Sequence, residues 1–214
     1  MVQIKTFCLI IASSIILWSC GSNEPAITEK DGKVEINNIL GASEKIKESM
    51  ENYQNKREER IKKGDTLSMH YKELEKYLPE IPGFEKKRDP KGEMVNMPMY
   101  GGWSTTELEY KGAGGTIKVE LSDYNQSSNG FTMAAAVFGM NMQVENDREK
   151  SGSFDTGIPE VRGYEKLVKK SGRVTLFYAI SDRFFLQLHG RDGVTIDDLK
   201  NVANSMALAE LAGK

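Results

Sequence analysis

The chain has 214 residues, 29 basic and 31 acidic side chains, a formal net charge of −2 and 39% hydrophobic residues. Without a basic excess the composition carries no electrostatic footprint for nucleic acid. Two cysteines and two histidines leave little material for thiol chemistry or a zinc centre.

Lys5 opens the chain with a positive charge, and an apolar run follows from Phe7 to Trp18, broken only by Ser13 and Ser14. A membrane-spanning helix needs about 20 apolar residues, so a run this short fits a secretory signal instead. The run closes on Leu17-Trp18-Ser19-Cys20. That tetrapeptide resembles the lipobox of bacterial lipoproteins: an aliphatic residue, a small one, then Gly, Ala or Ser, then Cys. Leu17, Ser19 and Cys20 fit the pattern, and Trp18 stands where it has a small residue. The resemblance implies removal of residues 1–19 as a signal peptide, thioether lipidation of Cys20 and acylation of the new amino group, palmitate included. Each buried CH₂ contributes about 0.8 kcal/mol, so several acyl chains together make a stable membrane anchor. It also implies a cell-envelope location, facing periplasm or medium. Gly21 is not the Asp that holds lipoproteins at the inner membrane in enteric bacteria, which points to the outer membrane. The alternatives are an uncleaved amphiphilic anchor or an ordinary secretory signal.

On that reading Cys8 is lost and Cys20 is consumed, leaving no thiol for a disulfide. Removing 19 residues from 214 leaves 195, with a charge of about −3 once Lys5 is gone. That length suits one domain and a tether. Residues 20–41 form the lipidated tether, with Gly21 to Lys33 polar and Gly-, Ser-, Asn- and Pro-bearing. Residues 42–66 form a charged helix. Ser43 serves as its cap, Glu44 and Glu48 stand at the positive end, and Lys62 and Lys63 at the negative end. Ile46, Met50, Tyr53 and Ile61 make one thin apolar stripe, fit for a partner-binding helix or for one lying on its own domain.

Residues 67–214 are expected to form an α+β domain. A helix over Ser68 to Leu78 ends at Pro79 and Pro82, and Gly83 turns into a first strand. Thr105 to Lys111 and Thr116 to Asp123 read as strands joined by a glycine turn at 112–115. Phe131 to Gln143 has no charge and reads as a buried helix, entered through Ser127, Ser128 and Asn129. Val161 to Val168, Arg173 to Ile180 and Phe184 to His189 read as three more strands, turned at Ser171-Gly172 and Ser181-Asp182. Thr195 caps a last helix carrying Ile196, Leu199, Ala203 and Met206. Short connections make the sheet mostly antiparallel, with five to six strands covered by helices. This element order resembles the PsbP-like α/β/α sandwich over roughly Leu78 to Leu211. The resemblance implies a binding or assembly factor and assigns no functional residue.

Few residues offer chemistry. His70 and His189 lie in separate segments, with no metal-ligand spacing around either, and His189 fits a core-edge place at a strand end. The glycines at 112–115 lack the Lys-Ser/Thr of a phosphate loop and sit between strands. Ser151-Gly152-Ser153 reads as a polar loop without a nearby histidine. Asp197-Asp198 fits capping of the last helix. Methionine is the unusual component: Met94, Met97 and Met99 form one run, and Met140 and Met142 another. Thioethers suit Cu(I), and they also suit an adaptable apolar binding surface or plain packing. Met99-Tyr100-Gly101-Gly102-Trp103 places aromatics beside glycines, as a pocket lining or as a loop anchored to the sheet.

The expected function is therefore that of a non-catalytic envelope lipoprotein. Its domain binds a partner protein or small ligand, with no cofactor and no nucleic acid, and its membrane contact runs through Cys20. The alternatives are a methionine-based copper-handling lipoprotein and an enzyme of unrecognised type.

Overall fold

The computed structural model describes residues 26–30, 33–37, 42–97, 101–127, 131 and 143–214. They fall into two units, Met1–Ile39 and Leu40–Lys214. In the first, β1 (Ala26–Lys30) pairs antiparallel with β2 (Lys33–Asn37), setting Ile27 opposite Ile36. This hairpin lies within the stretch read as a tether. Its alternation of aliphatic with charged residues is strand-like, though short. The apolar leader, the lipobox and Cys20 lie outside the described residues. Among those described, no helix is long and apolar enough to cross a membrane.

The second unit opens with α1 (Ala42–Lys62), the charged helix of the sequence. Of its stripe, Tyr53 is buried and Ile61 is 43% exposed. The turn after it is stitched to the sheet by charge. Arg183 donates to both oxygens of Asp123, the shortest contact being 2.8 Å, and to Asp65 at 2.8 Å. Asp123 also accepts from the backbone N–H of Met69 at 2.7 Å and of Asn125 at 2.8 Å. Asn125 in turn donates to Asp65 and accepts from Arg60.

These bonds shorten the next helix. Ser68 donates to the Gly102 carbonyl and the Met69 N–H is held by Asp123, so residues 68 and 69 stay extended. The helix predicted over Ser68 to Leu78 is instead a single turn, α2 (Tyr71–Leu74), followed by a 3-10 turn at Glu75–Tyr77. His70 caps it: its Nδ1 accepts from the Lys72 N–H at 3.2 Å. Leu67, assigned to the helix's apolar face, is 68% exposed.

One nine-stranded sheet makes up the body of this unit: β3 (Phe84–Lys86), β4 (Lys91–Met97), β5 (Gly101–Gly112), β6 (Gly115–Asp123), β7 (Gln143–Glu145), β8 (Glu149–Asp155), β9 (Val161–Val168), β10 (Arg173–Ile180) and β11 (Phe184–Arg191). The order across it is β3-β5-β6-β11-β10-β9-β8-β7, with β4 also paired to β5. Every pairing is antiparallel. The mostly antiparallel α+β expectation holds, but nine strands exceed the five to six expected. The additions are β4, β7 and β8. Ser151-Gly152-Ser153, read as a loop, lies within β8, where the Tyr164 hydroxyl donates to Ser151 Oγ at 3.0 Å. Gln143, read as the end of a helix, starts β7. The rest of that predicted helix lies outside the described residues except Phe131, which is buried.

Alternation along the strands separates two faces. Leu108, Tyr110, Ile117, Val119, Leu121, Leu176, Tyr178, Leu186 and Leu188 line the dry face. It packs against α3 (Ile196–Asn204) and α4 (Leu208–Ala212) through Leu199, Val202, Leu208 and Leu211. Thr195 and Asp198 form a reciprocal capping box at the start of α3, as the acidic pair there suggests. Tyr110 donates to the Pro79 carbonyl at 2.7 Å, giving the buried hydroxyl its partner. On the other face Tyr53, Phe131, Tyr164, Ala179 and Phe185 form a second, smaller core, in which Tyr53 and Phe131 stack at 5.5 Å.

Two turns fix this register. The three-residue β10–β11 loop has Ser181 and Asp182 at φ 48° and 52°, and the Arg183 N–H donates back to the Ile180 carbonyl at 3.0 Å to close the turn. Gly112 pairs with Gly115 around the other turn. Gly115 has φ 121°, and a Cβ there would lie 2.3 Å from the Arg191 carbonyl oxygen, so only glycine fits.

Candidate functional site

The second face of the sheet changes character along its strands. Toward the β10–β11 turn it is aromatic and packed. Toward the opposite end it is polar. The ladder sets Glu109, Lys118, His189, Thr175 and Lys166 side by side on β5, β6, β11, β10 and β9. A groove of about 450 Å³ opens there, floored by Thr175, His189 and Lys118, and bounded by Lys87, Arg173 and Arg191. That volume lies in the range of small-molecule sites, about 300–1,000 Å³.

His189 is half-buried, with Nδ1 3.3 Å from the Thr175 hydroxyl and its ring edge-on to Phe177 at 6.4 Å. Burial and the neighbouring Lys118 ammonium hold its pKa below the usual histidine value, against the pull of Glu120. The imidazole is thus neutral at pH 7, with one N–H donor and one acceptor. A hydroxyl beside a neutral imidazole is also the beginning of a nucleophile–base pair. Among the described residues no carboxylate bonds the ring's second nitrogen to orient it. The geometry supports a pair of polar contacts to a ligand.

The cations are held differently from one another. Lys118 is ion-paired with Glu107 at 2.7 Å and Glu120 at 2.9 Å. Burial lowers its pKa, but those two bonds outweigh burial and raise it overall. Glu109 is shared by Lys87 at 3.3 Å and Arg191 at 2.5 Å. Arg173, exposed at the start of β10, has no carboxylate partner among the described residues. Four cations and one carboxylate therefore line the groove. Glu107 and Glu120 stand behind Lys118 and Asp192 beside Arg191, so Arg173 is the lining cation left without a carboxylate among the described residues.

A second hollow of similar volume, lined by Asn52, Lys56, Glu160, Arg162 and Asp182, lies where α1 meets the β10–β11 turn. Its charges cancel internally. Lys56 bonds Glu160 and lies 3.4 Å from Asp182, and Arg162 reaches Asp182 at 2.5 Å. It acts as a clamp for α1.

Other residues singled out by the sequence are dispersed. His70 is a helix cap, far along the chain from the groove. Met94 is 38% exposed on β4, and Met97 ends that strand opposite Gly101. Met99, Tyr100, Met140 and Met142 lie outside the described residues. Gly101 and Gly102 open β5, and Trp103 stacks on Tyr124 with ring centroids 6.4 Å apart, the anchoring arrangement. Of those that are described, only His189 lines the groove, a residue that the sequence places at the core edge. Arg173, Arg191, Lys118 and Thr175 carried no motif. Their signal lay in the polar alternate positions of three strands, whose pairing sets His189 beside Thr175, 14 positions earlier, and beside Lys118, 71 positions earlier.

No family model matches the chain, and no curated protein matches it. Among solved structures, it is similar to an uncharacterised protein from Mycobacterium smegmatis, with a TM-score of 0.37 and 10% identity over 66% of this chain and 93% of that one.

Proposed function

We propose that this is a lipid-anchored envelope protein, held to the membrane through Cys20, whose sheet domain captures a small ligand in the groove on its polar face without transforming it. What supports the capture is one observation. The groove is roomy and partly lined by neutral hydrogen-bonding groups, Thr175 and His189, beside an unpaired cation at Arg173. Polar groups set into a concave wall in this way fix orientation and give specificity. The lipobox supports the anchor, and the PsbP-like element order agrees with a binding role.

Protein purified from its native envelope tests both parts. Mass spectrometry of the N-terminal peptide is expected to show an acylated, thioether-modified Cys20; an unmodified cysteine contradicts the anchor. Denaturing the same sample and analysing the released small molecules is expected to give one compound in near-stoichiometric amount from wild type. Thr175→Val should lose that compound. Equal recovery from both contradicts the groove as its site.

A further inference from the structure

The chain as a whole has more acidic than basic residues, 31 to 29. The groove reverses this locally to four cations against one lining carboxylate. The cations also come from separate elements. Lys87 lies just past β3, Lys118 is on β6, Arg173 on β10 and Arg191 on β11. Arg173 and Arg191 stand one residue outside the Val174–Gly190 pair of the β10–β11 ladder, so two guanidiniums flank the same end of the groove.

We infer that the groove binds the phosphate group of a small phosphorylated compound, an assignment that rests on the ligand-capture reading above. Arg173 supplies the main charge, and Arg191 and Lys118 the flanking field. The Thr175–His189 pair on the floor leaves one hydrogen for the ligand, on Thr175 Oγ1 or on His189 Nε2 according to the imidazole tautomer. A planar carboxylate is satisfied by one bidentate guanidinium fork. Cations arriving from several strands, with a neutral donor of the Thr175–His189 pair beneath them, suit an anion whose oxygens diverge in three dimensions. Arg191 makes an ion pair to Glu109 and lies 3.6 Å from Asp192. A guanidinium has five N–H donors, so it has donors left after both. The groove volume exceeds that of phosphate alone, leaving room for an organic moiety.

Calorimetric titration of the full chain in zwitterionic detergent at low ionic strength, with glycerol phosphate as the probe, tests this. Saturable binding is expected. A charge-assisted hydrogen bond is among the stronger kinds, so Arg173→Gln should weaken binding about tenfold or more. Lys170→Gln, a substitution of an exposed lysine outside the groove, should leave it unchanged. Arg173 is exposed and makes no side-chain hydrogen bond or ion pair among the described residues, so the variant should keep the wild-type melting temperature. Phosphatidylglycerol doped into the micelles then separates the two sources of phosphate. Competition with glycerol phosphate assigns a lipid headgroup and its absence a soluble ligand, and either result upholds phosphate recognition. Equal affinity of Arg173→Gln and wild type overturns the assignment. Amide NMR shifts at Thr175, His189 and Gly190 keep this failure distinct from failure of the capture reading. Shifts caused by neutral sugars but not by glycerol phosphate overturn phosphate and leave the groove as a ligand site. Silence toward both overturns the two together.

Discussion

Asp123 and Arg183 carry the largest single-residue stakes in the domain. Asp123 is fully buried and Arg183 nearly so, and each uses several bonds on the other, on Asp65 and on the backbone of Met69 and Asn125. Removing one partner of such a pair leaves an uncompensated buried charge, which costs about 3–5 kcal/mol. Arg183→Ala should therefore lower the urea midpoint sharply, whereas Arg173→Ala at the groove rim should change the unfolding free energy by less than about 0.5 kcal/mol. His189 sets a pH dependence whose sign follows from its lowered pKa. The unfolded chain, with an ordinary histidine near 6.5, binds a proton that the folded state resists. Stability attributable to this residue is present above about pH 6.5 and is lost as pH falls below it. His189→Gln should flatten the urea-midpoint profile between about pH 5 and 7, and an unchanged slope would contradict the buried neutral imidazole. Asp198 acts in another window. The Thr195 backbone and side chain hold its pKa low, so its contribution is present above the ordinary carboxylate range and is lost on further acidification. Asp198→Asn should remove that acid-side loss.

At the scale of elements, the strands that pattern made visible are the interior ones. β9 and β10 have the boundaries read from the sequence, and β5, β6 and β11 only extend theirs. Each has an apolar face, and alternation reports that directly. The strands that escaped sit at or near the edges. β4 carries Lys91, Gly92 and Glu93, all exposed, the charged composition that keeps an edge from pairing with another chain. β8 buries small polar residues instead of aliphatic ones. A Cβ at Gly152 would stand 3.0 Å from the side chain of the exposed Gln143. No period-two apolar signal exists in either segment to be read. Helix α1 shows the opposite case, an element whose existence was legible and whose attachment was not. One residue of its thin stripe, Tyr53, is buried against Phe131, and burial pushes its hydroxyl pKa up to about 12. Among the described residues it is also held by the Lys56 ion pair to Glu160 and by Arg60, which donates to Asn125 Oδ1. Truncation of a buried aromatic typically costs about 3–5 kcal/mol. Tyr53→Ala should thus free α1, seen as faster amide exchange over Ala42–Lys62, while β5, β6, β10 and β11 keep their protection. Equal loss of protection throughout would show that helix and sheet form one cooperative unit. Gly115→Ala belongs to this scale too. Its φ and the close Arg191 carbonyl should make it destabilising by at least about 1–3 kcal/mol, read as a lower melting temperature.

The molecule as a whole joins a sequence signal and a structural one that come from separate stretches. The lipobox-like tetrapeptide Leu17-Trp18-Ser19-Cys20 is local, so its resemblance could be read from four adjacent residues. The groove is the reverse. Thr116–Lys118, Arg173–Thr175 and His189–Arg191 come together only because β11 inserts between β6 and β10, and no spacing in the chain announces that order. This is why His189 looked like an isolated core-edge residue until its neighbours were in place. The central claim is that the polar face of the sheet, at its cationic end, captures a small ligand. Hydrogen-exchange mass spectrometry tests it most directly, comparing protein isolated from its native envelope with the same protein after denaturation, ligand removal and refolding. The account predicts extra protection in the isolated form confined to the segments carrying Lys118, Thr175 and His189. Identical exchange in the two samples, or protection centred instead on the exposed β4 edge around Met94, would contradict it.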